Sequence, residues 1–346
     1  MQVPATNREF ARDREALPPA RAAVLLKVED LTVRYCMQGH EFTVLDGISF
    51  ELVRGQVAGL LGESGCGKTT TAISLLGLLP TNARITRGSI SLDGRDLRSL
   101  HENQLRELRG VEMSLIYQDS NTLNPVMRAG DQVSEVLRAH KRCTPRQARE
   151  ETESLFVEIG LSDAPRIYEA YPHQLSGGQR QRVGIAQALI CKPRLVIADE
   201  PTASVDGDTA AAILHYLKRL RDDSDTALLF ITHDPGALAA VADRIMVMYA
   251  GQIVEDGPLD DTYADPLHPY TRALLRCAIP VEPANYDRHA SRLPFIPGSA
   301  PNPLAMPPGC SFANRCIDRM AACDRRTPQC SRNSVLRSVR CLKYEA

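Results

Sequence analysis

No apolar run in the 346 residues approaches the ~20 needed to cross a bilayer, which excludes a chain that spans a membrane by a helix of its own. Charge of either sign is also missing in surplus. Lys and Arg number 41 against 42 Asp and Glu, a net charge of −1, so nothing global argues for nucleic acid. The opening stretch "MQVPATNREFARDREALPPARAA" lacks an apolar core, so it does not read as a secretory signal, and its acidic residues count against a mitochondrial transit peptide. We expect a disordered leader over 1–25 and a reducing compartment in which disulfides are rare. No internal repeat is visible, and no two cysteines have C-x₂-C spacing.

What is present suits an ordinary globular protein. Hydrophobic residues make up 43% and charged residues 24%, enough to bury a core, and the length fits roughly two domains or one with an appendage. "LLKVEDLTVRY" and "GISFEL" read as strands. "RGSISLDGRDL" and "RIMVMYAGQIVEDG" read as hairpins, the second around Gly251. Helical periodicity runs from about Glu102 to Arg166, clearest in "RQAREETESLFVEIGL". "PRLVIADEP" and "TALLFITHD" are short apolar runs suited to buried parallel strands. These alternations predict an α/β fold. After Pro258 prolines recur, which is poor material for helix or sheet, so a boundary is placed near 257–265.

"GESGCGKT" fits the P-loop pattern G-x-x-x-x-G-K-[ST], with Gly62, Gly67, Lys68 and Thr69 at the required places. Glycines let backbone N–H groups turn inward around phosphate oxygens. The helix that starts there points the positive end of its dipole at the same anion. Nucleotide contacts are assigned to Gly62, Glu63, Ser64, Gly65, Cys66, Gly67, Lys68, Thr69 and Thr70. Lys68 is to reach the β- and γ-phosphates of ATP, and the Thr69 hydroxyl is to ligate Mg²⁺. The bland alternative is a chance Gly-rich turn, but the segment lies between a strand and a helix, as the chemistry requires. The Cys66 thiol, beside the phosphates, is expected to be open to alkylation.

In "LVIADE" four apolar residues place an acidic pair at the C-terminal end of a strand, where open α/β sheets bind ligands. Asp199 is assigned to Mg²⁺ and Glu200 to activating or orienting the water that attacks the γ-phosphate. "LSGGQRQR" leads into the apolar helix "VGIAQALI". Ser176, Gly177 and Gly178 offer a hydroxyl and open N–H groups at a helix start, a second anion site. A serine N-cap on a core helix explains Ser176 but not two glycines, which are costly there.

A P-loop, an "LSGGQ" about a hundred residues later and an "LVIADEP" soon after it stand in the order of the nucleotide-binding subunits of ABC transporters, which this chain resembles. The resemblance implies an α/β P-loop cassette over 26–257, with a RecA-like core, an antiparallel β subdomain and a helical subdomain over about 119–190. "LIYQD" is similar to the Q-loop, implying that Gln118 touches Mg²⁺ and the attacking water and couples to the membrane subunits. "TASVD" is similar to the D-loop, with Asp206. "LFITHD" is similar to the switch, placing His233 at the γ-phosphate. Tyr35 in "LTVRY" resembles the aromatic residue that stacks on adenine; a plain strand tyrosine is the alternative. In this family two cassettes pair head to tail, so Ser176, Gly177, Gly178 and Gln179 would close over ATP held by a second ATPase subunit, identical or merely homologous.

The local resemblance is to the oligopeptide, dipeptide and nickel uptake branch, carried by "YPHQLSGGQRQRVGIAQAL", "DPLHPYTRALL" and "LPFIPGSAPNPLAMPPGCSFANRC". It implies ATP-driven import of peptides, or of nickel, a metallophore or another small solute. The partners would be two membrane permease subunits and an extracytoplasmic solute-binding protein, with the chain peripheral on the cytoplasmic face of the cell (inner) membrane. The segment after Gln118 is one residue shorter than is usual there. "ASVD" and Gln187 are milder departures. Non-transport ABC ATPases of DNA repair or translation fit less well, because this chain has one cassette, a short gap between P-loop and signature, and no basic surplus.

The C-terminal region, 258–346, holds Cys310, Cys316, Cys323 and Cys341 with five, six and seventeen residues between them. Four thiolates at such spacing leave an iron–sulfur cluster, a zinc site, disulfides or no ligand as readings. In the uptake branch a similar set is associated with a [4Fe–4S] cluster, so that cofactor is expected on these four, with Cys330 the odd one out.

Overall fold

The computed structural model describes residues 23–118, 122–203, 205–278 and 294–345. Nearly all of the expected leader lies outside them, as do 119–121 of the segment that follows Gln118. Gln38 and Gly39 both take positive φ, 52° and 81°, the two-residue turn whose twist matches that of paired strands. It joins β1 (Val24–Met37) to β2 (His40–Val53). The chain then enters β3 (Val57–Leu61) in a second sheet, and returns as β4 (Ala83–Leu92) and β5 (Arg95–Asp96). These close an antiparallel sheet in the order β2-β1-β4-β5.

The second sheet adds β6 (Met113–Ile116), β7 (Leu195–Asp199), β8 (Ala227–Thr232), β9 (Arg244–Tyr249) and β10 (Gln252–Pro258), followed by the short β11 (Ser331–Arg332) and β12 (Ser338–Val339). Its order is β11-β12-β10-β9-β3-β8-β7-β6. The pairs from β9 to β6 are parallel and the others antiparallel. Every residue of β3, β7 and β8 is buried, as parallel strands covered on both faces must be. Leu60, Ile197, Leu229 and Ile231 face a core shared with the antiparallel sheet and the helix Lys68–Leu75. Leu61, Val196, Leu228 and Phe230 face the opposite core, against Ile213 and Leu217 of helix Gly207–Asp223 and Leu238 of helix Pro235–Val241.

A helical lobe with its own core carries the signature. Helices Ala129–His140, Pro145–Glu158 and Ala164–Glu169 pack Val133, Leu137, Phe156 and Ile167 together. Thr144 starts the second of these with a capping box to Gln147 and proline in the first turn. Helix Gly177–Leu189 belongs to both bodies. Ile185 and Leu189 join the sheet core, and Val183 and Ala186 the lobe core.

Two sequence readings change. β6 lies inside the stretch read as helical, because four residues are too few to break the periodic pattern on either side. Beyond Pro258 the chain is more regular than its prolines suggest. Helices Leu259–Ala264 and Pro269–Cys277 form there, and Pro269 occupies a first-turn position, where the missing N–H costs nothing.

The C-terminal region is docked on the cassette. β12 pairs with β10, and Tyr270 and Phe312 pack on Tyr249 of β9, with ring centroids 4.6 and 5.2 Å from the Tyr249 ring. Phe312 is buried on the cassette side. Truncation there should act on the whole molecule: Phe312→Ala is expected to cost ~3–5 kcal/mol in urea unfolding. A loss below ~1 kcal/mol would show that the ring is not part of the common core.

Candidate functional site

Parallel strands end on one edge of the sheet, and the chemistry of this chain collects there. The P-loop follows β3, Asp199 ends β7, His233 follows β8, and Gln118 lies just beyond β6. Register pairs Ile116 with Ala198 and Asp199 with Ile231, which aligns Gln118, Glu200 and His233 along that edge. At Gly62 a side chain is impossible, since a Cβ would stand 2.4 Å from the Met248 carbonyl oxygen. Gly67, at φ 114°, turns the loop into helix Lys68–Leu75.

The Lys68 ammonium is buried and donates to the carbonyls of Gly62 and Glu63 at 2.8 and 3.1 Å, so it is held within the loop. Asp199 is buried, and its Oδ1 has no hydrogen-bond partner. Burial raises its pKa; the Thr69 hydroxyl and Lys68 pull it down, and neighbouring Glu200 pushes it up. A buried, half-satisfied carboxylate beside a threonine hydroxyl is a set of hard oxygen donors that fits a divalent cation such as Mg²⁺.

Glu200 is buried and takes φ 51°, a left-handed conformation that costs a non-glycine residue of order 1–3 kcal/mol. Its Oε1 lies 2.8 Å from His233 Nδ1, and its Oε2 accepts from the Thr232 hydroxyl at 3.4 Å. The structure thus brings Glu200 and His233 together, with the His233 side chain 58% exposed toward whatever binds.

The signature sits on the helical lobe. Ser176 caps helix Gly177–Leu189, accepting from Gln179 N–H at 3.3 Å while Gln179 Oε1 accepts from Ser176 N–H at 3.0 Å. The capping alternative is therefore realised. The glycine beside it is a different matter: a Cβ on Gly177 would meet nothing within 4 Å, so no contact inside this chain requires glycine there. Asp206 caps helix Gly207–Asp223 by accepting from Thr209 N–H, which together with the Thr209 hydroxyl holds its carboxyl below the usual range. Arg182 of the signature helix donates to Thr209 at 3.0 Å, and Gln181 donates to the Pro201 carbonyl at 3.1 Å. Arg182 and Gln181 tie the signature to the D-loop and to the segment after Glu200. Nothing in the sequence pattern assigns them a partner, because Thr209 and Pro201 lie in other segments.

Other assigned residues stand as follows. Tyr35 stacks on Phe42, centroids 6.1 Å apart, two residues from where β2 passes the P-loop at Val44. Cys66 is buried and that burial raises its thiol pKa, both of which disfavour alkylation. Glu63 is engaged elsewhere: its N–H donates to the Tyr270 hydroxyl at 3.0 Å and its carboxylate accepts from Arg315. Those two groups face the C-terminal region rather than a nucleotide.

In that region Cys310, Cys316, Cys323 and Cys341 are neighbours. Burial raises the thiol pKa of Cys310 and Cys341 and that of Cys316 to about 11, and thiols of the same set push each further. Cys310 N–H donates to the Cys323 carbonyl at 2.8 Å, whereas Cys330 is exposed. All four thiols are free. Among the described residues no group of three or more His, Cys, Asp or Glu is arranged to hold a metal ion, so the geometry lends the iron–sulfur expectation no support.

Comparison with known proteins follows the same division of the chain. Residues 45–203 match the ABC transporter family, and 254–323 match the oligopeptide/dipeptide transporter C-terminal region. The oligopeptide transport ATP-binding protein AppD of Bacillus subtilis is 42% identical over 325 residues, 93% of this chain and 98% of AppD. The dipeptide transport ATP-binding protein DppD of the same organism is 41% identical over 92% of this chain and 94% of its own. The oligopeptide transport ATP-binding protein OppD of Salmonella typhimurium is 42% identical over 90% and 91%. The ATP-binding cassette MJ0796, solved as a dimer in a post-hydrolysis state bound to ADP and Pi, superposes with a TM-score of 0.63 and 26% identity, covering 68% of this chain and 99% of that one. The chain belongs to the ABC transporter family, among its oligopeptide and dipeptide transport ATP-binding proteins.

Proposed function

We infer that this chain hydrolyses ATP to energise import of oligopeptides or dipeptides as the nucleotide-binding subunit of an ABC transporter. The contact between Glu200 and His233, beside the P-loop, carries the ATPase reading. The peptide class rests on the match of 254–323 and on the relatives' names.

Phosphoryl transfer to water asks the protein for position and electrostatics more than for covalent chemistry. Lys68 lies close enough to the loop to exchange its two carbonyls for phosphate oxygens. Thr69 and Asp199 would hold Mg²⁺, which neutralises charge on the β- and γ-phosphates. Glu200 orients the attacking water and takes its proton, and His233, anchored through Nδ1, leaves Nε2 for the γ-phosphate. Ser176, Gly177 and Gly178 serve ATP bound by a second cassette. The free space at Gly177 supports this, because nothing in this chain fills it. Tyr117 and Leu78 are exposed at a cleft of about 350 Å³ between the lobes beside Gln118, which suits contact with membrane subunits. Among the described residues no helix is long and apolar enough to cross a membrane. Attachment through those subunits, on the cytoplasmic face, is part of the same proposal and rests on the family.

We also read Cys310, Cys316, Cys323 and Cys341 as ligands of a [4Fe–4S] cluster that would staple the tail. The reading rests on the resemblance of this Cys-bearing tail to the uptake branch and on the exposure of Cys330, not on a preformed site.

Glu200→Gln should keep ATP binding and lose most turnover in the assembled transporter. Lys68→Ala should lose the affinity itself, by ~1.5–3 kcal/mol for a charge-assisted contact. Steady-state hydrolysis by Glu200→Gln at the wild-type rate would remove the base from Glu200. For the tail, protein prepared without oxygen should carry about four irons and four sulfides per chain. Serine at any of the four positions should abolish them, and Cys330→Ser should not. One zinc and no iron, or no metal, would end the cluster reading.

A further inference from the structure

The second residue of the P-loop is an acid, which is an odd choice in a loop built to receive a polyphosphate. A carboxylate close to a phosphate repels it unless something cancels the charge. Glu63 is cancelled by a residue 252 positions away in the C-terminal region. Arg315 donates to Glu63 Oε2 at 2.7 Å and to Oε1 at 2.8 Å, a two-pronged pair with the arginine side chain 6% exposed. Arg315 is itself fixed. Its Nε donates to the Pro297 carbonyl at 2.9 Å, a further N–H reaches the Tyr249 hydroxyl at 3.3 Å, and its guanidinium lies over the Tyr249 and Phe312 rings. The remaining polar groups of Glu63 are taken as well. Its N–H donates to the Tyr270 hydroxyl at 3.0 Å, and its carbonyl accepts from Lys68 at 3.1 Å and from Cys66 N–H at 3.3 Å. The Gly62–Glu63 peptide thus joins the tail to Lys68, its N–H donating to Tyr270 and its carbonyl accepting from the lysine at 2.8 Å.

We propose that the C-terminal region is a structural part of the nucleotide site, with Arg315 and Tyr270 as positioning residues that neutralise Glu63 and fix its peptide. Arg315 lies in the short Ala313–Arg315 turn, which closes on Cys310 and leads directly into Cys316. Folding of the 310–341 segment and nucleotide affinity are therefore linked: a tail that lets go of Arg315 leaves an unpaired carboxylate on the loop that receives the phosphates. The inference rests on the ATP-site reading above.

The test is equilibrium binding of Mg-ATP to the full-length chain. Arg315→Ala should weaken binding at least tenfold. Adding Glu63→Gln to it should recover affinity to within threefold of Glu63→Gln alone, because the charge that needed cancelling is gone. A residue that merely held the tail together would show no such recovery. Arg315→Ala binding within twofold of wild type, or a double variant as weak as the single one, overturns the proposal. If Arg315→Ala does not yield folded protein, Arg315→Lys and Tyr270→Phe carry the test. Each should weaken ATP binding about threefold, and wild-type affinity in both overturns it. Lys68→Ala is the control that separates the two readings. If wild type binds no ATP, or binds it as Lys68→Ala does, the ATP site is wrong. If only the Arg315 and Tyr270 variants are silent, the site stands and the coupling falls.

Discussion

Parallel strands can leave only one edge at which every chain segment turns from strand to loop in the same direction, and this constraint organises the molecule. β3, β8, β7 and β6 lie side by side, so the P-loop, His233, the acidic pair and Gln118 emerge in one row. The row exists only if the strands stay buried, and burial on both faces demands two covers. The antiparallel sheet supplies one, through Leu26, Leu45 and Leu52. Helices Gly207–Asp223 and Pro235–Val241 supply most of the other, and the C-terminal region completes it with Tyr270 and Phe312. The tail is therefore part of what keeps the site's edge in place.

The helical lobe answers to a different need. Its core is separate, yet helix Gly177–Leu189 has one side in each body. A lobe held mainly by one shared helix can swing without unfolding either core. The bonds from Gln181 to Pro201 and from Arg182 to Thr209 bring that helix into register with the acidic pair and the D-loop. The signature helix is thereby bonded to the residue after Glu200 and to the first turn of helix Gly207–Asp223.

The nucleotide site was legible in the sequence because its chemistry restricts residue type. Only glycine tolerates the Met248 carbonyl at Gly62, and only an acid at the end of an apolar run explains Asp199. Strands β7 and β8 were legible for the same reason, as unbroken apolar runs. β6 was not, since Met113–Ile116 carries no pattern of its own and becomes a strand by pairing with β7. The left-handed backbone at Glu200 leaves no mark in composition. Nor does the pairing of Glu63 with Arg315, because 252 residues of chain separate two charges that each look like surface. Pattern reveals what a segment needs from itself, and these features come from what one segment needs from another.

Three acids stand around a site meant for a polyanion, and each is compensated by a different means. Asp199 keeps an unpartnered oxygen, which a cation would complete, with Thr69 and Lys68 favouring its charge meanwhile. Glu200 is held by Thr232 at 3.4 Å and His233 at 2.8 Å, neither of them a permanent charge. Glu63 alone has a fully formed ion pair, on a rigid guanidinium buried among aromatic rings. The order follows function. On the proposed reading, a metal ligand must stay available, and a base must be able to exchange partners during turnover. An acid that does neither must be silenced, and silencing it with a residue from outside the cassette makes the loop depend on a region that a minimal P-loop protein would not need.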